Sequence, residues 1–275
     1  MAIYNGIMVK GEIDINNLQS DLLRLIKKSG ELARGYFEKK DVRRYSKKEL
    51  DFVTDADLAV EKYLKSELSG KYPGVPVMAE ESAHKNYNLY CREKSLFVID
   101  PIDGTLNFGY GIDHYAISIA LVSYGKPLLG ICLASDTNKV YTARRDRKGA
   151  YCDNRKISVK NINRLAESFI LTDWPHDLEL RKKTVAFIGN LYSRVRFIGI
   201  YGSAVYDLLM ISQGEIQGVY LTGCNPWDVA AASLIARKSG ALLTDGRGAD
   251  FDIFNKTLVA GVEGIHGELV RASGG

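Results

Sequence analysis

Phe97-Val98-Ile99-Asp100-Pro101-Ile102-Asp103-Gly104-Thr105 is an apolar run of strand length that ends in two acids around a Pro-Ile pair, followed by Gly-Thr. The pattern predicts a buried strand delivering two carboxylates at its carboxyl end, where open α/β sheets hold their ligands. Paired hard oxygen ligands beside a Gly-Thr anion pocket are what Mg²⁺-assisted phosphoryl chemistry requires. Taken alone, the run also fits a strand closed by an Asx-type turn at Asp103-Gly104.

Two other segments bear on that choice. Met78-Ala79-Glu80-Glu81-Ser82 lies upstream, and Asn225-Pro226-Trp227-Asp228-Val229-Ala230-Ala231-Ala232 lies far downstream. With Asp100-Pro-Ile-Asp-Gly-Thr105 they make a three-part pattern that resembles the Mg²⁺-dependent, lithium-sensitive phosphomonoesterases of the inositol monophosphatase family. That superfamily also holds fructose-1,6-bisphosphatases, bisphosphate nucleotidases and a type of histidinol-phosphatase. The resemblance runs from about Leu22 to about Gly261. It implies a layered αβαβα sandwich with the active site between two halves, two or three Mg²⁺ per site, and a homodimer.

The rhythm of the chain agrees with two halves. Asp14 to Lys40 carries Leu18, Leu22, Leu25, Ile26, Ala33 and Phe37 at helical spacing, and a second helix starts near Asp55 with Gly70 past its end. Arg43 to Asp51 reads as a polar loop or hairpin. From Leu96 to Val159 the pattern is of strands joined by hairpins, as at Ser123-Tyr-Gly-Lys-Pro127, which argues for an antiparallel sheet. After Asn163, strands at 168–172, 196–200, 218–221 and 241–244 alternate with helices at 177–191, 203–212 and 226–238, which argues for a mixed or parallel sheet. The expected class is therefore α+β or α/β, with residues 1–160 as an α+β half and 161–275 as an α/β half.

Composition narrows the partners. The chain has 275 residues, and its 37 Lys and Arg against 33 Asp and Glu leave a net charge of +4. That excess suits a small anionic substrate and is too weak to argue for nucleic acid. Arg144-Arg145 with Arg147-Lys148 is among the densest basic clusters, and an RNA- or protein-binding regulator on the same fold would have to use it. The four cysteines show no CxxC spacing, and the four histidines no i,i+4 pair, so neither a disulfide framework nor a zinc site is expected. Met1 to Glu12 has no apolar core of signal-peptide length, and no run approaches the ~20 residues of a membrane span, so a cytoplasmic protein is expected.

The resemblance assigns chemistry residue by residue. Glu80, Asp100 and the carbonyl of Ile102 would hold one metal; Asp100, Asp103 and Asp228 would hold the second. Local reasoning agrees in part. Pro101 lacks an N–H and has a fixed φ, so Ile102 is able to turn its carbonyl toward a metal. Asn225 and Pro226 mark a helix start that puts Asp228 in the first turn, where it would also favour the helix dipole. A short helix opening at Gly104-Thr105 would cradle phosphate on its free N–H groups. Thr105 would position the attacking water, with Asp57 as its partner and Glu80 sharing the water as base. Asp55 is expected to cap its helix, and Glu81 and Ser82 to orient Glu80. Gly202-Ser203-Ala204, with Asp103 and Asp228, would meet the rest of the substrate, although Ser203 also reads as a helix cap. At Leu221 the animal enzymes carry a carboxylate for inositol hydroxyls, so loose discrimination among polyol phosphates is expected. The implied activity is hydrolysis of myo-inositol 1-phosphate by two-metal-activated water, with fructose 1,6-bisphosphate as the alternative substrate and a nucleotide bisphosphate third.

Overall fold

The computed structural model describes residues 14–39, 42–48, 51–84 and 86–274; the Met1 to Glu12 segment lies outside them. Helix α1 spans Ile15–Lys39 and turns Leu18, Leu22, Leu25, Ile26 and Ala33 inward on one stripe. The basic segment after it is a hairpin of β1 (Arg44–Lys48) and β2 (Asp51–Thr54). It leads into α2 (Asp55–Lys71). Thr54, not Asp55, caps α2, in a reciprocal box with Asp57; Asp55 instead accepts a bond from the Tyr45 hydroxyl at 2.8 Å. Gly70 lies inside α2 rather than beyond it. The helix runs on until Pro73 forbids it, and the left-handed turn falls to Gly74.

A seven-stranded sheet follows in chain order. Its strands are β3 (Val77–Ala79), β4 (Leu96–Asp103), β5 (Ala116–Ser123), β6 (Lys126–Ala134), β7 (Lys139–Arg144), β8 (Ala150–Cys152) and β9 (Arg155–Ile157). Only the β3–β4 pair is parallel. The short α3 (Thr105–Gly109) follows β4. Strand β9 falls within the Leu96 to Val159 run of expected hairpins; Asp153 and Asn154 both take positive φ, which makes the tight turn before it.

The carboxyl half holds β10 (Phe169–Thr172), β11 (Phe197–Gly199), β12 (Gly218–Thr222), β13 (Leu242–Thr244) and β14 (Thr257–Gly261). Among them are the helices α4 (Leu178–Leu191), α5 (Ala204–Gln213), α6 (Pro226–Ser239) and α7 (Glu263–Ala272). The strand order is β11-β10-β12-β14-β13, with β14 antiparallel to both neighbours, so this sheet is mixed. The sequence reading missed β14 and α7.

Side-chain alternation sorts the layers. On β4, Phe97 and Ile99 join α1 and α2 on one face, while Leu96 and Val98 join α5 and α6 on the other. On β10 and β12, Leu171, Val219 and Leu221 face that same central layer, whereas Ile170 and Tyr220 face α4 and α7. The result is an αβαβα sandwich with α5 and α6 enclosed between sheets. One close seam is β6 on α6, where a Cβ on Gly130 would stand 2.5 Å from the Ala231 carbonyl oxygen. Gly130 and the Val229-Ala-Ala-Ala232 run therefore seat α6, and with it Asp228, against the first sheet. Among the described residues no helix is long and apolar enough to cross a membrane.

Candidate active site

Three acids owe their meeting to strand register. β3 and β4 run parallel with Ala79 opposite Ile99, and the Glu80 amide donates to the Ile99 carbonyl at 3.3 Å, so Glu80 leaves its strand beside Asp100. Residues 100 and 103 of a regular strand would point to opposite faces. Here β4 slips against β5: Asp100 sits opposite Ser118, Asp103 opposite Ala116. The extra residue, a bulge at Pro101-Ile102, returns both carboxylates to one side, and Pro101 has no N–H to miss from the ladder. Asp228 comes from the first turn of α6, where Asn225 N donates to its Oδ2 at 2.7 Å.

These acids border a cleft of about 430 Å³, which Ile102, Gly104, Thr105 and the Gly202–Ala204 segment also line. Asp57 lies behind it, fully buried. Its Oδ1 accepts from the Thr105 hydroxyl at 3.0 Å, and its Oδ2 from Thr54 N at 2.9 Å and from the Thr54 hydroxyl. Asp103 is anchored across the cleft: its Oδ2 accepts from the Ser203 hydroxyl and from Val205 N at 2.7 Å. Ser203 also caps α5 by accepting from Tyr206 N. The close approach of the two segments needs Gly104, at φ 96°, whose Cβ would stand 3.3 Å from the Gly202 carbonyl oxygen.

The site stores uncompensated negative charge. Burial first, then the charge of Glu80 and the other acids, pushes Asp100 well above the usual carboxylate range. Burial and Asp103 raise Asp228 to about 7, and burial raises Asp103 to about 6 against the Ser203 and Val205 donors. Asp100 Oδ1 is buried without a hydrogen-bond partner. Among the described residues the side chains do not close into a ready-made metal cage, and the Lys47 ammonium lies 3.1 Å from Glu80. Hard oxygen donors, uncompensated charge and an orphaned carboxylate oxygen fit a divalent cation such as Mg²⁺.

Two further side chains shape the site. Lys47, on β1, bridges Glu80 and Glu81 at 3.1 and 2.5 Å and holds both acids at the cleft edge. Asn107 donates to the carbonyls of His114 and Tyr201, stitching α3 to the loop before α5. Asn107 opens the Asn107-Phe108 ending of the Asp100 run that resembles the inositol branch, whereas Lys47 stands in no chemical motif; the partners of both come from the fold. Other expectations need correction. Ser82 turns to the Lys65 ammonium instead of Glu80. Leu221 is 1% exposed and faces the central core, because strand alternation gives the cleft to its neighbour Thr222. A glutamate at 221 would bury a charge in apolar packing and would not retune specificity. In the basic cluster, Arg144 is buried and spent on Asp146 and Asn16, and Arg147 also reaches Asn16.

The chain is similar to known proteins over nearly its whole length. The family model described as the inositol monophosphatase family matches residues 15–273. A Pasteurella multocida (strain Pm70) protein named Nus factor SuhB is 30% identical, over 94% of this chain and 96% of its own length. The fructose-1,6-bisphosphatase/inositol-1-monophosphatase of Thermotoga maritima is 29% identical, over 90% of this chain and 93% of its own. The crystal structure of extragenic suppressor protein suhB from Bartonella henselae superposes with a TM-score of 0.84 at 32% identity, covering 94% of this chain and 98% of that one.

Proposed function

The chain belongs to the inositol monophosphatase family, and from that premise we propose a Mg²⁺-dependent phosphatase whose preferred substrate is myo-inositol 1-phosphate. The observation that carries the reading is the convergence of Glu80, Asp100, Asp103 and Asp228 on one cleft, with Asp100 Oδ1 buried and unpartnered. Those carboxylates and the Ile102 carbonyl are the groups that would hold the metal. When bound, Mg²⁺ supplies positive charge where the phosphoryl transition state gathers negative charge, and makes nearby water more acidic.

The chain's own groups orient the water and the ester. The Thr105 hydroxyl has one proton and two acceptors at 3.0 Å, Asp57 Oδ1 and the Ile102 carbonyl oxygen. Donating that proton to Asp57 leaves the hydroxyl oxygen free to accept from a water in the cleft. Thr54 holds Asp57 in place through both its amide and its hydroxyl. Glu80 gives the water a second acceptor and shares its proton as base. No side chain caps the start of α3, so its backbone N–H groups face the phosphate oxygens.

A panel of phosphate esters tests the reading. Phosphate release should require Mg²⁺ and run fastest on inositol 1-phosphate, with fructose 1,6-bisphosphate within about one to two factors of ten in kcat/KM. A clear preference for the bisphosphate would overturn the substrate assignment. A homodimer is the proposed assembly, with exposed Tyr110, Ile112, Ile200 and Tyr201 beside the Asn107 stitch as the surface a second copy covers. Light scattering that returns the 30.5 kDa of one chain would refute it.

The raised carboxylates give a signed pH dependence. A folded pKa above the unfolded one means that the folded state keeps protons the unfolded state has shed. The contribution of Asp103 and Asp228 is therefore most favourable at low pH, and is lost as pH rises through about 6 and about 7. Bound Mg²⁺ offsets that repulsion, so the Tm gain of Mg²⁺ over EDTA should be larger at pH 8 than at pH 5. An equal gain at both would show that these acids do not hold the cation.

A further inference from the structure

With Leu221 in the core, another group must meet the leaving group. The segment from Asp173 to Asp177, between β10 and α4, lines the same cleft as the acids. It is pinned on every side. Asp173 is half-buried and accepts from Thr222 N at 2.7 Å and from the Thr184 hydroxyl at 3.3 Å. Asp177 caps α4 through the amides of Glu179 and Leu180. Leu180 fills the space a side chain on Gly223 would need, since a Cβ there would stand 2.5 Å from its Cδ1. Arg181 donates to the Pro175 carbonyl at 3.0 Å and lays its guanidinium 4.8 Å from the Trp174 ring centroid.

On this fixed segment Trp174 is left 45% exposed, whereas the chain's other tryptophan, Trp227, is 9% exposed. An indole with a guanidinium against its ring presents a broad apolar plane at low entropic cost. The C–H face of a ring matches such a plane; an open-chain alcohol does not. We propose that Trp174 is a specificity-determining platform that favours esters of cyclic alcohols over acyclic ones, an inference that rests on the phosphatase reading above.

Steady-state kinetics of Trp174→Ala, Trp174→Phe and a control, Leu178→Ala, on inositol 1-phosphate and glycerol 2-phosphate test it. Leu178, the first residue of α4, is exposed next to that segment but does not line the cleft. Trp174→Ala should raise KM for inositol 1-phosphate ~tenfold, a difference of about 1.4 kcal/mol, with kcat kept within about twofold. KM for glycerol 2-phosphate and inhibition by inorganic phosphate should move less than about twofold. Trp174→Phe, which keeps an aromatic face for Arg181, should recover most of the loss, and Leu178→Ala should match wild type. Equal losses on both esters, or an unchanged KM for inositol 1-phosphate, would overturn the platform. A wild-type protein that releases phosphate from neither ester would instead bring down the phosphatase reading, and the platform with it.

Discussion

Asp100→Asn is expected to abolish Mg²⁺-dependent phosphate release, by about a thousandfold or more, while raising the melting temperature of the protein in EDTA. The two effects have one cause. Asp100 is fully buried among Glu80, Asp103, Asp228 and Asp57, and its Oδ1 has no donor. Ionising it therefore costs stability until a cation arrives, so replacing it relieves the metal-free fold at a pH where it is ionised and deprives the cation of a ligand. The asparagine is nearly isosteric and leaves the β4 bulge intact. Activity and thermal melting with and without Mg²⁺ check both halves. A variant with near wild-type turnover at saturating Mg²⁺ would remove Asp100 from the mechanism. One that melts lower in EDTA would show that the charge is already compensated.

Thr105→Ala should reduce kcat by about 10²–10⁴-fold, the range of a lost acid–base relay, with little change in KM. The hydroxyl connects Asp57 Oδ1 to the cleft at 3.0 Å, and no other described side chain bonds to that oxygen. The N–H groups of α3 proposed to meet phosphate are backbone and survive the substitution. Thr105→Ser, which keeps the hydroxyl, should restore most of the rate. Steady-state kinetics on inositol 1-phosphate separate the outcomes: a raised KM with normal kcat would make Thr105 a binding residue only.

Much of this site was legible in the sequence because its chemistry is local to three short runs. The acids flanking Pro101-Ile102, the Glu80 segment and the helix start at Asn225-Pro226 each carry their own turn or cap signals, and the resemblance put them in one set. Other parts were readable in type but wrong in detail. Thr54 and Asp55 are adjacent polar residues with similar capping propensity, and which one caps depends on where Asp57 points once it is buried. Gly70 reads as a stop signal, yet a helix packed on α1 tolerates it.

What the sequence by itself determined is the fold class, the two-part rhythm and the identity of the acids, because period, turn residues and motif chemistry are properties of neighbours along the chain. What only the tertiary structure decided is how distant segments face each other. The bulge that turns Asp100 and Asp103 the same way is a register fact of β4 against β5. The burial of Leu221 depends on which face of β12 meets α5. Lys47 meets Glu80 and Glu81, Asn107 meets Tyr201, and Trp174 lines the cleft from the loop between β10 and α4. A side chain's partners across a sandwich are set by register and layer contact, and no local pattern encodes either.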